Sequence, residues 1–175
     1  PYHLLNSWMK NVAKTYLDTG IVFIGSTNPN HYEVDTQLVN EIKKMADYYF
    51  NEKIFFIERT YEIEKYYQAA DIFAMPSSRE GMPNALLEAM ACSPPVIVSR
   101  LEGITDWIIS DGKNGLLFDP SIWDELGRAI NRILNDNALA ESLGKEARMT
   151  VVDKFSIDRV SAEYLKLYHR LIPSA

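Results

Sequence analysis

Short apolar runs alternate with longer stretches of helical periodicity along the first two thirds of this sequence, and few folds satisfy that pattern. The runs are Ile21–Gly25, Lys53–Ile57, Asp71–Met75, Pro95–Ser99 and Gly115–Phe118. Each is four or five residues, rich in Ile, Val and Phe, and mostly apolar without alternation. Strands read this way when they run parallel and are covered on both faces. Between them lie helical patterns at roughly 34–50, 61–69, 83–92 and 104–110. Strand and helix in strict turn predict an α/β domain with a Rossmann-like, doubly wound parallel sheet.

The last third changes character, so the chain reads as one domain, 1–175, with a sheet part over about 1–119 and a helical tail over about 120–175. Ser121 stands as an N-cap before an apolar stripe of Trp123, Leu126, Ile130, Ile133 and Leu134. Asp136 to Ala147 reads as a second helix. Ser156 opens a third, with Val160, Tyr164, Leu167, Tyr168 and Leu171 on one face and Pro173 at its end. Core packing is the expected role of that face, with docking on a partner domain as the alternative. At the other end, Leu4, Leu5, Trp8, Val12 and Tyr16 suggest an amphipathic helix ahead of the first strand. A crossover helix normally follows a strand, so this chain is expected to be a fragment, or one domain of something larger.

Composition narrows the function classes. At 175 residues, 47% hydrophobic and 24% charged, the chain can bury a proper core and is neither disordered nor a disulfide scaffold. The lone Cys92 permits no internal disulfide, so a reducing cytosol is the natural compartment. A formal net charge of -6 disfavours sequence-independent binding to nucleic acid. No apolar run approaches the ~20 residues of a membrane-spanning helix. His3, His31 and His169 are scattered singly, and no carboxylate or His cluster has metal-ligand spacing.

The chemistry concentrates between Asp71 and Cys92. A buried strand is predicted to end at Met75, Pro76 to Gly81 to form a loop, and a helix to begin near Pro83, a residue favoured in a first helical turn. Asn84 to Cys92 is apolar except at Asn84 and Glu88, which predicts a helix buried all round and a carboxylate in poor solvation. Helical side chains lean towards the N-terminus, so Glu88 should point back to the loop at the strand's carboxyl end, where open α/β sheets bind ligands. The helix start offers free N–H groups to a phosphate, and Gly81 lets a ligand approach the backbone. A phosphate at the helix tip with a carboxylate one turn further in describes a nucleotide's phosphates and ribose. Glu80, in the loop, would face whatever hangs beyond the phosphates. The competing readings are a structural carboxylate at Glu88 and a solvated loop charge at Glu80.

This stretch resembles the donor-binding motif of retaining glycosyltransferases with the two-domain GT-B fold, the family 4-like glycosyl transferases of group 1. Pro76, Ser77, Glu80, Gly81, Glu88, Ala89, Met90, Ala91 and Cys92 carry the resemblance. It continues through Pro95–Ser99, Gly103-Ile104 and Asp111–Phe118, and covers the C-terminal half of such an enzyme. The resemblance implies that Glu88 holds the ribose hydroxyls and that Glu80, the catalytic candidate, contacts the donor sugar on the face where transfer happens. It also implies that Gly81, Met82 and Pro83 line the sugar, that backbone at Asn84 and Ala85 meets the diphosphate, and that Arg59 and Thr60 in the loop after the second strand cradle the base. It implies no cofactor and no metal.

The sequence departs from the family at several points. An Arg and a Lys that clamp the diphosphate are expected before Pro1 and are not in the chain, and neither is the N-terminal GT-B acceptor domain. Ser93-Pro94 replaces a common Gly and Lys or Thr, and Asp106 a common Glu. Arg79 and Arg100 could add positive charge near the site. The function expected of the intact protein is retaining, metal-independent transfer of a hexosyl group from a nucleotide sugar to a saccharide or lipid-linked acceptor. That enzyme would be cytoplasmic, and peripheral association with a membrane would be compatible with it. The isolated chain should bind a nucleotide weakly and transfer nothing. The alternatives are a catalytically silent GT-B-like binding module and a nucleotide-sugar epimerase-like domain.

Overall fold

In the computed structural model, which describes residues 2–25, 36–50, 53–122 and 124–172, all the predicted apolar runs form strands. They are β1 (Ile21–Ile24), β2 (Ile54–Ile57), β3 (Phe73–Met75), β4 (Val96–Ser99) and β5 (Leu116–Phe118). Every pairing is parallel: β1 with β2 in one sheet, and β3-β4-β5 in that order in a second. The helices are α1 (Tyr2–Asn11), α2 (Thr36–Phe50), α3 (Ile63–Ala69), α4 (Asn84–Cys92), α5 (Thr105–Ile108), α6 (Glu125–Leu134), α7 (Asn137–Phe155) and α8 (Ile157–Leu171).

Alternation along the central strands divides the core in two. Ile97, Leu116 and Phe118 face a core shared with Leu5 and Trp8 of α1, Ile42 of α2 and Leu126 and Ile130 of α6. Val96, Val98 and Leu117 face the other way, onto Tyr67 of α3, Leu86 and Met90 of α4, Ile108 of α5 and Ala147 of α7. β4 is buried at all four positions, as a parallel strand covered on both faces must be. Both sheets contribute to the first core through Ile21, Ile54 and Ile97. Helices α1 and α2 therefore cover one face and α3, α4 and α5 the other. A doubly wound sheet changes face at its switch point, and ligands bind at the carboxyl ends of the strands there.

The tail departs from the sequence reading in three ways. Ser121 does not cap α6: its N–H and hydroxyl both donate to Asp119 Oδ1, at 2.8 and 2.6 Å, and Asp124 takes the N-cap position. Trp123 lies outside the described residues, as do Pro173 and His31. Helix α7 is capped by Asp136, whose side chain accepts from the Leu139 N–H at 2.9 Å, but it continues past Ala147 to Phe155. The reason is that Val151 and Phe155 still pack on the second core. The largest difference is α8, none of whose residues is buried. Tyr164, Leu167, Tyr168 and Leu171 are 47 to 68% exposed, so the stripe expected in the core faces outward instead.

One close approach ties the tail to the sheet. A Cβ at Gly144 of α7 would stand 2.1 Å from the carbonyl oxygen of Ser93, the left-handed residue (φ 76°) that ends α4. Backbone cannot step aside there. Gly144→Ala should destabilise the chain by about 2–3 kcal/mol, read as a lower urea midpoint, as overpacking of a close contact does.

Candidate functional site

The loop between β3 and α4 is built from its buried ends inward. Met75 closes β3, and the hydroxyl of Ser99 at the end of β4, fully buried, donates to Ser77 O and lies 3.4 Å from Met75 O. Ser99's own carbonyl accepts from Thr105 Oγ1 at 2.7 Å, and Thr105 Oγ1 in turn accepts the Leu101 N–H at 2.7 Å. The buried Ser99 hydroxyl thus joins the carboxyl ends of β3 and β4, and the buried Thr105 hydroxyl ties the end of β4 to α5. Sequence reading passed over both. The available signal was a serine closing an otherwise wholly apolar run, Pro95-Val-Ile-Val-Ser99.

Helix α4 starts at Asn84, one residue later than expected. Pro83 is its N-cap, with φ -79° and ψ 83°, and its carbonyl accepts from Leu86 and Leu87 at 3.0 and 3.3 Å. The Asn84 N–H donates to Met82 O at 3.0 Å, so that amide closes the loop rather than facing outward. Gly81 has ordinary φ, and a Cβ there would meet nothing within 4 Å. Nothing in the fold demands glycine at 81, and the space above it is open.

Glu88 corrects the sequence reading. It is exposed, not buried. Only one side of α4 is covered, through Leu86, Ala89 and Met90, while Asn84, Ala85 and Glu88 lie open. The expectation failed because Ala85 is apolar in type yet uncovered, and a short helix of small residues looks apolar all round without being buried so. The argument from the cost of burying a charge therefore lapses. In its place stands an exposed carboxylate tethered to a buried phenol: Tyr67 OH donates to Glu88 Oε2 at 3.3 Å.

Tyr67, at 8% exposure, packs edge-on against Phe73 with ring centres 5.6 Å apart. Burial, the negative charge of Glu88 and the hydrogen bond to it together push the phenol up to about 12. The hydroxyl stays a donor to Glu88 throughout the neutral range. Cys92, one turn further along α4, is held above its ordinary value by burial, against the opposing charge of Arg148.

The other candidates lie in the loops that follow β2, β3 and β4. Glu80 is half-buried in the loop, Met82 is 56% exposed, and Pro83 is buried. After β2, Thr60 Oγ1 accepts the Glu62 N–H at 3.0 Å, which fixes the turn and occupies that hydroxyl. The Arg59 guanidinium lies 4.8 Å from the ring centre of Tyr61, which is 85% exposed. Arg79 is exposed, and Arg100 pairs with Asp111 at 3.8 Å. The Asp111–Phe118 segment is explained by structure alone. Asn114, buried, accepts the Ser110 N–H at 2.7 Å and donates to Ile108 O and Thr150 Oγ1, pinning the turn to α7. Among the described residues no three His, Cys, Asp or Glu gather to hold a metal ion, and no helix is long and apolar enough to cross a membrane.

The model of the family described as glycosyl transferases group 1 matches residues 2–150. The chain belongs to that family. A lipopolysaccharide core biosynthesis glycosyltransferase, LpsE, of Rhizobium meliloti (strain 1021) is 38% identical over 99 residues, which are 57% of this chain and 29% of that protein. The chain spans well under half the length of the curated relatives it matches. Among solved structures, the C-terminal domain of a glycosyl transferase group 1 family protein (LpcC) from Francisella tularensis superposes with a TM-score of 0.77 at 26% identity, over 89% of this chain and 78% of that one. Anabaena Alr3699/HepE, solved in complex with UDP-glucose, superposes with a TM-score of 0.80 at 18% identity, over 95% of this chain and 44% of that one. This group 1 domain thus has the fold of the C-terminal half of a GT-B glycosyltransferase.

The Tyr67–Glu88 contact has a signature in alkaline solution. A phenol whose folded value lies above its unfolded value of about 10 stabilises the fold below pH 10, and loses that contribution as the pH rises towards 12. Stability measured between those limits should fall more steeply for the parent chain than for Tyr67→Phe. Equal slopes would show that Tyr67 is not held in this way.

Proposed function

We propose that this group 1 domain is the donor-binding half of a retaining glycosyltransferase, which moves a hexosyl group from a nucleotide sugar to a saccharide or lipid-linked acceptor. The observation that carries the reading is the loop-and-helix arrangement at 80–88. There a half-buried Glu80 and an open space over Gly81 lead to the uncovered Asn84-Ala85-Glu88 side of α4, at the carboxyl end of a parallel strand. Glu88, oriented by Tyr67, accepts the ribose hydroxyls. Glu80 contacts the donor sugar, Gly81, Met82 and Pro83 shape its pocket, and the α4 N-terminus at Ala85 faces the diphosphate. Arg59, stacked on Tyr61, and the turn fixed by Thr60 meet the base.

In the transfer step the bond from the anomeric carbon to the diphosphate oxygen breaks, the oxygen of an acceptor hydroxyl bonds to the same face of the sugar, and the hydroxyl proton passes to the departing diphosphate. The charge left on the diphosphate needs electrostatic stabilisation, worth several kcal/mol when preorganised. In this reading neither a metal nor a cofactor supplies it. The stabilisation comes from groups outside this chain together with the α4 N-terminus. The second partner is an N-terminal GT-B domain, for which the outward apolar stripe of α8 offers a surface. Such an enzyme works in the cytoplasm, peripheral to the membrane where its acceptor is lipid-linked.

Calorimetry with UDP, GDP and ADP and their sugars tests the reading directly, and absence of binding by folded protein would refute it. With a bound nucleotide in hand, Glu88→Ala should weaken binding by about 1–3 kcal/mol, the worth of charge-assisted hydrogen bonds to the ribose. Glu80→Ala should weaken the nucleotide sugar more than the bare nucleotide.

A further inference from the structure

The parallel sheet is interrupted between its two halves. β1 pairs with β2 and β3 with β4, and no hydrogen-bonded pairing joins β1 to β3 among the described residues. Yet the halves belong to one layer. Ile21 and Ile54 of the first meet Ile97, Leu116 and Phe118 of the second in a single core. Over that junction lies α1, which touches α2 on one side and α6 on the other, with Leu5 and Trp8 buried beneath it. α2 is the crossover of the first sheet, and α6 packs on β4 and β5 of the second. α1 therefore stands over the seam.

Handedness decides what belongs beneath it. Crossovers between parallel strands are right-handed in about 98% of cases, so successive crossovers on one face step in one direction. α1 and α2 lie on the same face, and α2 carries the chain from β1 to β2. A strand leading into α1 must then lie on the other flank of β1, the one without a partner. From β3 onward the crossovers α4 and α5 lie over the opposite face, so that sheet grows the other way and leaves β3 as its inner edge.

Both inner edges present donors to the seam. In β1 the Ile21 and Gly25 N–H groups donate to the Lys53 and Ile57 carbonyls, at 2.8 and 3.0 Å. Alternate N–H groups of a strand point to opposite edges, so those of Val22 and Ile24 face away from β2. In β3 the Phe73 N–H donates to Pro95 O at 3.0 Å, which turns the Ala74 N–H away from β4. Backbone donors under a packed helix need partners, and an open strand edge is a template for a further strand.

We infer that β1 and β3 flank a slot for one more parallel strand, and that its occupant is the segment leading into α1 in the intact protein. The completed order is β2-β1-slot-β3-β4-β5, in which a single strand at the usual spacing of about 4.8 Å bonds to both edges. Lying under α1 in the middle of the sheet, the occupant is a short apolar run of the same kind as β4. The winding reverses between this strand and β3, so the switch point falls at the loop that carries Glu80 and Gly81. The slot is there whether or not the domain binds a nucleotide.

Amide hydrogen exchange tests this on two proteins: the present chain, and the same chain extended by the roughly twelve residues that precede Pro1 in the intact protein, enough for a strand and its turn. In the present chain the Val22, Ile24 and Ala74 amides should exchange faster than those of Ile21, Gly25 and Phe73. In the extended chain the same three should slow by about tenfold or more, and the urea midpoint should rise. Protection of those three amides in the present chain, whether in a monomer or in a concentration-dependent dimer of two copies, overturns the slot. Unchanged exchange at the three in the extended chain, or new protection along the outer edge of β2 or β5 in their place, overturns the occupant.

Discussion

Everything in this domain is hung on β4. Val96, Ile97 and Val98 are fully buried, with successive side chains committed to opposite cores. Because the strand is sheathed on both faces, the helices on either side have fixed seats. α6 packs through Leu126 and Ile130 on one face, and α4 and α7 pack through Met90 and Ala147 on the other. Removing a side chain such as Ile97 would open a cavity that neither layer could close, a loss of about 2–5 kcal/mol. At the end of the same strand, Ser99 and Thr105 convert that rigidity into loop geometry, by tying down the carbonyls that begin the loops after β3 and β4. The candidate site is thus an extension of the core, with its loop ends anchored in buried hydrogen bonds.

The candidate groups sit where the core stops covering the helix. One side of α4 is packed by Leu86, Ala89 and Met90, and the other is left as small residues around Glu88. Small side chains beside a helix start keep the backbone accessible, and a carboxylate among them is oriented by a single buried phenol. The same logic holds at Gly81, where the fold is indifferent to a Cβ but an approaching ligand would not be.

How much of this was legible in the sequence depended on whether a property is local. The strands were, because a doubly covered parallel strand leaves a contiguous apolar run. The motif around Glu80 and Glu88 pointed to the family, and the family match over residues 2–150 agrees with the fold it implied. Burial was not. Residue type alone read α4 as sunk on every side and the stripe of α8 as core, and both errors share a cause: apolar side chains mark surface that can be covered, without saying by what. The partnership of Tyr67 with Glu88 spans two helices and 21 residues, so no local pattern announces it. The seat of Ser121 likewise depended on the competing acceptor at Asp119.

The central claim is that Glu88 meets the ribose of a nucleotide. The most direct test is a cycle of two affinities in two proteins: UDP and its 2′,3′-dideoxy analogue, each titrated into the parent chain and into Glu88→Gln. The account predicts that loss of the hydroxyls weakens binding strongly in the parent chain and scarcely at all in Glu88→Gln, because the carboxylate and the hydroxyls then share one interaction. Equal losses in both proteins would contradict it, since Glu88 would then be acting somewhere other than on the ribose.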